Sequence, residues 1–210
     1  MMQTPEQETI KSTLSRSEKK RADILAAASA EFREKGFAGT SMDALSARAE
    51  VSKRTLYNHF SNKEALFEAI TGSLWEALQG VPFQPDQPLV DQLKAMARQK
   101  MDVINQPDHI ELTRCVIGEY MRHAQMAQKA MAKLEQSEDG VIRWFEDAMA
   151  ADQLRQEDPR FVAHQFYGLL KTFAFFPQMI AHAPAPTPEE QDKIIDSAVT
   201  MILAQYQIAP

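Results

Sequence analysis

One cysteine, Cys115, stands in 210 residues. A single thiol excludes an internal disulfide and any cysteine-built metal cluster, and it fits a reducing, cytoplasmic setting. Glycine is also scarce, at seven residues. No stretch alternates apolar and polar residues between turn dipeptides, so a β architecture has no support. No apolar run approaches the ~18 residues that a membrane span requires, and no apolar stretch follows a basic patch at the start, so no secretion signal is expected. His109 and His123 are fourteen residues apart and share no helical metal face. Nothing around the histidines or the cysteine supplies a Glu-x-x-His pair or a nucleophile with its base. No enzyme, metal site or cofactor is therefore expected. Positive charge is lacking too, since the formal net charge is −6.

What is present is helix-forming. Hydrophobic residues make up 44% and charged residues 25%, enough for a sizeable core. Ala, Leu, Gln, Glu, Lys, Arg and Met dominate, all good helix formers. Ile24, Leu25, Ala28 and Phe32 give residues 17–35 a helical stripe, and Gly36 can adopt the positive φ that ends it. Thr40 or Ser41 caps a short second helix over 42–49, and Ser52 caps a third over 53–59. Ser61 with Glu64 forms a capping box for a fourth, running from 62 to about 79. Gly80, Pro82, Pro85 and Pro88 mark a linker. Helical spacing then covers 89–106, 108–124, 126–151, 159–181 and 188–206. The fold class is all-α, with about nine helices: an N-terminal helix-turn-helix followed by a larger bundle. The expected divisions are an arm over 1–16, a helix-turn-helix domain over 17–65 and a second domain over 66–210.

The sum of charges hides their distribution. Residues 16–63 carry ten Lys/Arg against six acids, whereas residues 81–210 carry twelve basic against eighteen acidic residues. A mildly basic head precedes an acidic body, which leaves the head as the surface able to meet a polyanion.

The segment 40–63, TSMDALSARAEVSKRTLYNHFSNK, places two short helices around a tight break at Glu50-Val51-Ser52, the helix-turn-helix arrangement. Val51, Leu56 and Phe60 take the inner face, which turns Lys53, Arg54, Thr55, Tyr57, Asn58 and His59 outward. Hydroxyls and cations suit phosphate oxygens, and amide and guanidinium groups can read base edges. A solvated face of an ordinary bundle is the competing reading of the same composition.

Together with the preceding GFAGTSMDALSARA, the string VSKRTLYNHFSNKEALFEAI closely resembles the tetracycline-repressor (TetR) family of bacterial regulators. Its hallmarks here are Gly36-Phe37, Thr40-Ser41, Val51-Ser52, Thr55-Leu56-Tyr57, His59-Phe60 and Lys63-Glu64-Ala65-Leu66, and the match covers about residues 18–70. The resemblance implies that Tyr57, His59 and Lys63 grip phosphates, as do Thr40 and Ser41 at the start of the second helix. Ser52, Lys53, Arg54, Thr55 and Asn58 complete the DNA-facing set, with Arg54 the first candidate for a guanine. The chain departs from the family at Glu50, where glycine is usual, and at Ser46, where alanine is usual. A left-handed conformation at Glu50 would cost roughly 1–2 kcal/mol.

Past Leu78 the stretches DQLKAMARQKMDVI, HIELTRCVIGEYMRHAQMAQ and LLKTFAFFPQMI look like the AefR-type subgroup. The resemblance implies a body that encloses a small-molecule effector, apolar or amphipathic, and pairs through its last two long helices. The expected partners are therefore double-stranded operator DNA, a second copy of the chain and an effector, with no membrane. Candidate pocket residues are Met96, Leu112, Cys115, Val116, Glu119, Trp144, Phe145 and Phe173, with core packing as the alternative for each and pairing with Arg114, Arg122 or solvent as the alternative for Glu119. Candidate dimer residues are Phe166, Leu169, Leu170, Phe176, Ile195, Val199 and Ile202, with an internal core as the alternative.

Overall fold

The computed structural model describes residues 15–76, 81–136 and 140–208. Most of the expected N-terminal arm, the end of the fourth helix and Gly80 lie outside them. Among the described residues the protein is helical, with one isolated β-bridge, Leu154 to Gln207, and no strand. Contacts divide it into one unit ending at Phe67 and one beginning at Glu68.

The head is built from α1 (Arg16–Gly39), α2 (Met42–Arg48), α3 (Lys53–His59) and the start of α4 (Lys63–Glu76). Ser15 opens α1 with a capping box to Glu18. Gly36 takes φ 69 and ψ 170, a region essentially closed to residues with a Cβ, and the chain makes one more turn before Thr40. Ile24, Ala28 and Phe32 on α1, Leu45 on α2, Leu56 on α3 and Phe60 just after it are all buried. Phe32, Phe37 and Phe67 form an aromatic trio with centroids 4.9–5.7 Å apart. Glu31 is buried at 2% exposure, and its charge is matched by Lys35 and by Arg48 of α2 at 2.9 Å. Arg48 also takes Glu34 at 2.7 Å, so one guanidinium pins α2 to α1. The fourth helix starts one residue later than the sequence predicts, because Asn62 rather than Ser61 caps it, its Oδ1 accepting from Ala65 N at 2.7 Å.

The body comprises the rest of α4, then α5 (Leu89–Ile104), α6 (Pro107–Arg122), α7 (Ala124–Gln136), α8 (Gly140–Ala150), α9 (Pro159–Leu170), α10 (Phe176–Ala181) and α11 (Pro188–Tyr206). One core joins α5, α8, α9 and α11 through Leu93, Met101, Phe145, Phe166 and Val199. The proline-rich stretch at 81–88 is not a free linker: Phe83 packs edge-on against Trp144 at 5.6 Å. Gln92 holds that stretch as well, its amide donating to Gln84 O and Gln87 O while its carbonyl accepts from Gln84 N and Trp144 Nε1. A buried amide is tolerable only when so fully paired. The expected helix over 126–151 is described as α7 and α8, and residues 137–139 between them lie outside the described residues.

Between α9 and α10 lies a π turn, Lys171–Phe175. Pro177 has no N–H to return to the carbonyl of residue 173, so the helical register changes just before it. Buried positions then recur at Phe166, Leu170, Ala174 and Gln178. That four-residue spacing exceeds the roughly 3.6 of a regular helix, and the wide turn supplies the difference. Phe173 is consequently carried to the surface, at 60% exposure.

Candidate nucleic-acid interface

The head presents α2 and α3 with both N-termini capped by serine. Ser41 Oγ accepts from Ala44 N and Ser52 Oγ from Thr55 N, each at 3.1 Å. Ser52 and Thr55 hydroxyls also bond each other at 2.8 Å. Leu56 is fully buried and Phe60 nearly so, which fixes the roll of α3 and sends Arg54, Tyr57 and Asn58 into solvent. Tyr57 is half exposed. Lys53 is held by Asp43 of α2 at 2.8 Å, and the carboxylate raises its pKa. Ten residues separate this pair across the turn, so no local pattern announces it.

Thr40 and Lys63 have tasks that the sequence did not indicate. Thr40 is buried, and its hydroxyl donates to Gly36 O at 2.8 Å. That donation closes the strained Gly36 corner. The Lys63 ammonium donates to Phe37 O at 2.7 Å and Thr40 O at 3.0 Å, and stands 4.3 Å from the Phe37 ring centroid. It neutralises the carbonyl end of α1 and holds the approach to α2. His59 is half-buried. Glu50 has φ 51, the left-handed conformation that glycine would adopt without strain. Ser46 is buried but satisfied, its hydroxyl donating to Asp43 O at 2.9 Å.

In the body, the residues proposed for a pocket separate. Met96, Trp144 and Phe145 belong to the main core. Leu112, Val116 and Glu119 are buried on α6, where Cys115 is half-buried. Glu119 already accepts from Arg122 at 3.3 Å and pairs with His123 at 2.9 Å, while Arg114 caps Gln178 O and Met179 O. Phe173 is not a pocket wall but a surface residue.

The expected dimer residues need a larger correction. Phe166, Leu170, Ile195, Val199 and Ile202 are buried inside the protomer, and only Leu169 and Phe176 retain exposure. The apolar groups that do face solvent on α9, α10, the π turn and α11 are Phe161, Phe173, Phe176, Ile180 and Met201. Amphipathic spacing identifies an apolar face but not what covers it.

Residues 24–70 match the bacterial regulatory proteins of the tetR family, and residues 91–208 match the AefR-like transcriptional repressor C-terminal domain. The chain belongs to the TetR family, in its AefR-like type. TetR-family regulators bind operator DNA, act as dimers and are not enzymes. A solved TetR family transcriptional regulator from Pseudomonas syringae pv. tomato DC3000 is 38% identical, with a TM-score of 0.78 over 93% of this chain and 100% of its own. The flavonoid-responsive regulator FrrA is 26% identical, with a TM-score of 0.71 over 91% and 99%. The uncharacterized HTH-type transcriptional regulator YhgD of Bacillus subtilis strain 168 is 28% identical over 142 residues, 67% of this chain and 74% of its own. This TetR-family chain keeps the all-α fold of those neighbours, and no helix among its described residues is long and apolar enough to cross a membrane.

Proposed function

We propose that this DNA-binding repressor reads its operator through α3 and releases it when a small apolar or amphipathic molecule enters the body. The observation that carries the reading is the surface of α3. Arg54, Tyr57 and Asn58 stand in solvent, and among the described residues no side-chain hydrogen bond or ion pair takes them up. Arg54 presents a fork to guanine, and Asn58 an amide suited to adenine. Tyr57, Ser41 and His59 grip phosphates. Lys63 acts by holding the start of α2, and Lys53 becomes available once a phosphate displaces Asp43.

The repressor works as a dimer whose second copy covers the exposed apolar side chains Phe161, Phe173, Phe176, Ile180 and Met201. Two heads then meet successive major grooves about one helical turn apart. Release is carried by α4. In the body its Glu68 takes Lys129 at 2.7 Å and Lys133 at 2.8 Å, both from α7, and its Thr71 is hydrogen-bonded by Tyr120 of α6. A ligand that spreads α6 and α7 therefore pulls on the helix that also bears Lys63. Full release requires the ligand to favour the unbound form by about 5 kcal/mol. The test is a gel-retardation titration of the DNA upstream of the chain's own gene against an equal-length mixed-sequence duplex. Preferential, salt-sensitive binding to the former supports the reading, and equal binding to both rejects it.

A further inference from the structure

The head carries a second cationic surface that lies off α2 and α3. The first turns of α1 hold Arg16, Lys19, Lys20 and Arg21, four cations within six residues. Glu18, the one acid among residues 16–22, has its carboxylate turned back to Ser15, accepting from Ser15 N at 2.7 Å. The segment does not drift free of the recognition element. The Arg21 guanidinium lies 5.1 Å from the centroid of the Phe60 ring, and Phe60 is the residue that closes α3. Arg16 lies about 7.5 Å further along the α1 axis.

Helical geometry also fixes which cations share a flank. Arg16 and Lys20 are one turn apart, and Lys20 and Glu31 about three turns apart. Glu31 and Glu34 are the acids on which Arg48 of α2 is seated. Arg16 and Lys20 therefore project from the flank of α1 that α2 occupies further along, while Arg21 fastens the same end of α1 to the close of α3.

We infer that Arg16 and Lys20 bind phosphates of the DNA backbone adjoining the segment read by α3, extending the operator contact onto α1. This inference rests on the reading of α3 as the operator-contacting helix. DNA is the partner that fits, because the cations continue a surface whose other residues suit phosphate and base edges. The contact carries no base information, so it lengthens the footprint and steepens the salt dependence without changing which sequence is preferred.

The test uses full-length protein and a duplex enriched from a random-sequence library by the wild type. The Arg16→Gln/Lys20→Gln variant is compared with the body variant Arg98→Gln/Lys193→Gln, which loses the same charge. Each phosphate contact contributes about 0.9 to the slope of log K against log salt. The α1 variant should lose about 2 from that slope per protomer and bind at least ~10-fold more weakly near physiological salt. The body variant should match the wild type, the Arg16→Lys/Lys20→Arg exchange should restore the slope, and all should melt alike. An α1 variant with the wild-type slope and affinity overturns the inference while leaving α3 as the reader. A wild type that enriches no sequence overturns the underlying reading instead.

Discussion

Head and body are built by different rules, and the difference decides how each is read. In the head, about fifty residues must hold two short helices against a longer one at a spacing set by DNA. The constraints are local and chemical: two serine caps, a positive-φ corner, a lysine on two carbonyls, an arginine on two glutamates. In the body the constraint is burial, and almost any apolar residue on an inward stripe satisfies it. The head therefore tolerates few substitutions of type, while the body tolerates many of identity.

The largest expected effect separates core from interface in the body. Phe166→Ala removes a fully buried ring and should cost about 3–5 kcal/mol, seen as a lowered thermal or urea midpoint of the body. Phe173→Asp, seven residues on, should leave helicity intact and shift the sedimenting species from dimer to monomer. If Phe173→Asp stays dimeric, the partner-covered face lies elsewhere.

In the head, Lys63→Met keeps the contact with the Phe37 ring but removes the ammonium from two carbonyls. A loss on the order of 1.5–3 kcal/mol is expected, with binding to every duplex weakened together. Normal head stability with lost binding would make Lys63 a phosphate ligand first and a structural residue second.

Acid should loosen the Glu31–Arg48 junction. Hydrogen bonds from Lys35 and then Arg48 hold the Glu31 carboxyl below its ordinary value of 4.5, and Arg48 does the same for Glu34. A depressed carboxyl stabilises the fold fully above its ordinary value, and the contribution is lost as pH falls through the depressed one. Head melting should therefore decline on acidification below about pH 4.5, and Glu31→Gln should flatten that decline. An unaltered profile in the variant would assign the acid sensitivity to other groups.

The smallest effect is at Glu50. Replacing its left-handed side chain by glycine should relieve about 1 kcal/mol and raise the melting temperature by roughly 2–4 °C. An unchanged or lowered value would mean that the turn carries no strain.

The legibility of each region follows from these rules. Most helix positions, the cap at Ser52 and the exposure of Lys53, Arg54, Tyr57 and Asn58 were readable, because capping chemistry and period 3.6 act over a few residues, whereas Thr55 and His59 are half-buried. The strain at Glu50 was readable because only one residue class suits that conformation. The Asp43–Lys53 and Arg21–Phe60 contacts were not, since they join residues ten and thirty-nine apart in the chain. The inward placement of Phe166, Ile195 and Val199 was equally hidden, because a stripe reads the same whether its own chain or a second copy covers it. Phe173 was misplaced for a further reason: the π turn shifts the helical phase, and only Pro177 hinted at it.

The central claim is that Arg54 reads a base while its neighbours hold the backbone. The direct measurement is the affinity of Arg54→Ala for a duplex enriched by the wild type and for a mixed-sequence duplex of equal length, at one salt concentration. The account predicts a loss of about 1–3 kcal/mol on the enriched duplex and a much smaller loss on the mixed one. Equal losses on both, or none on either, would contradict it.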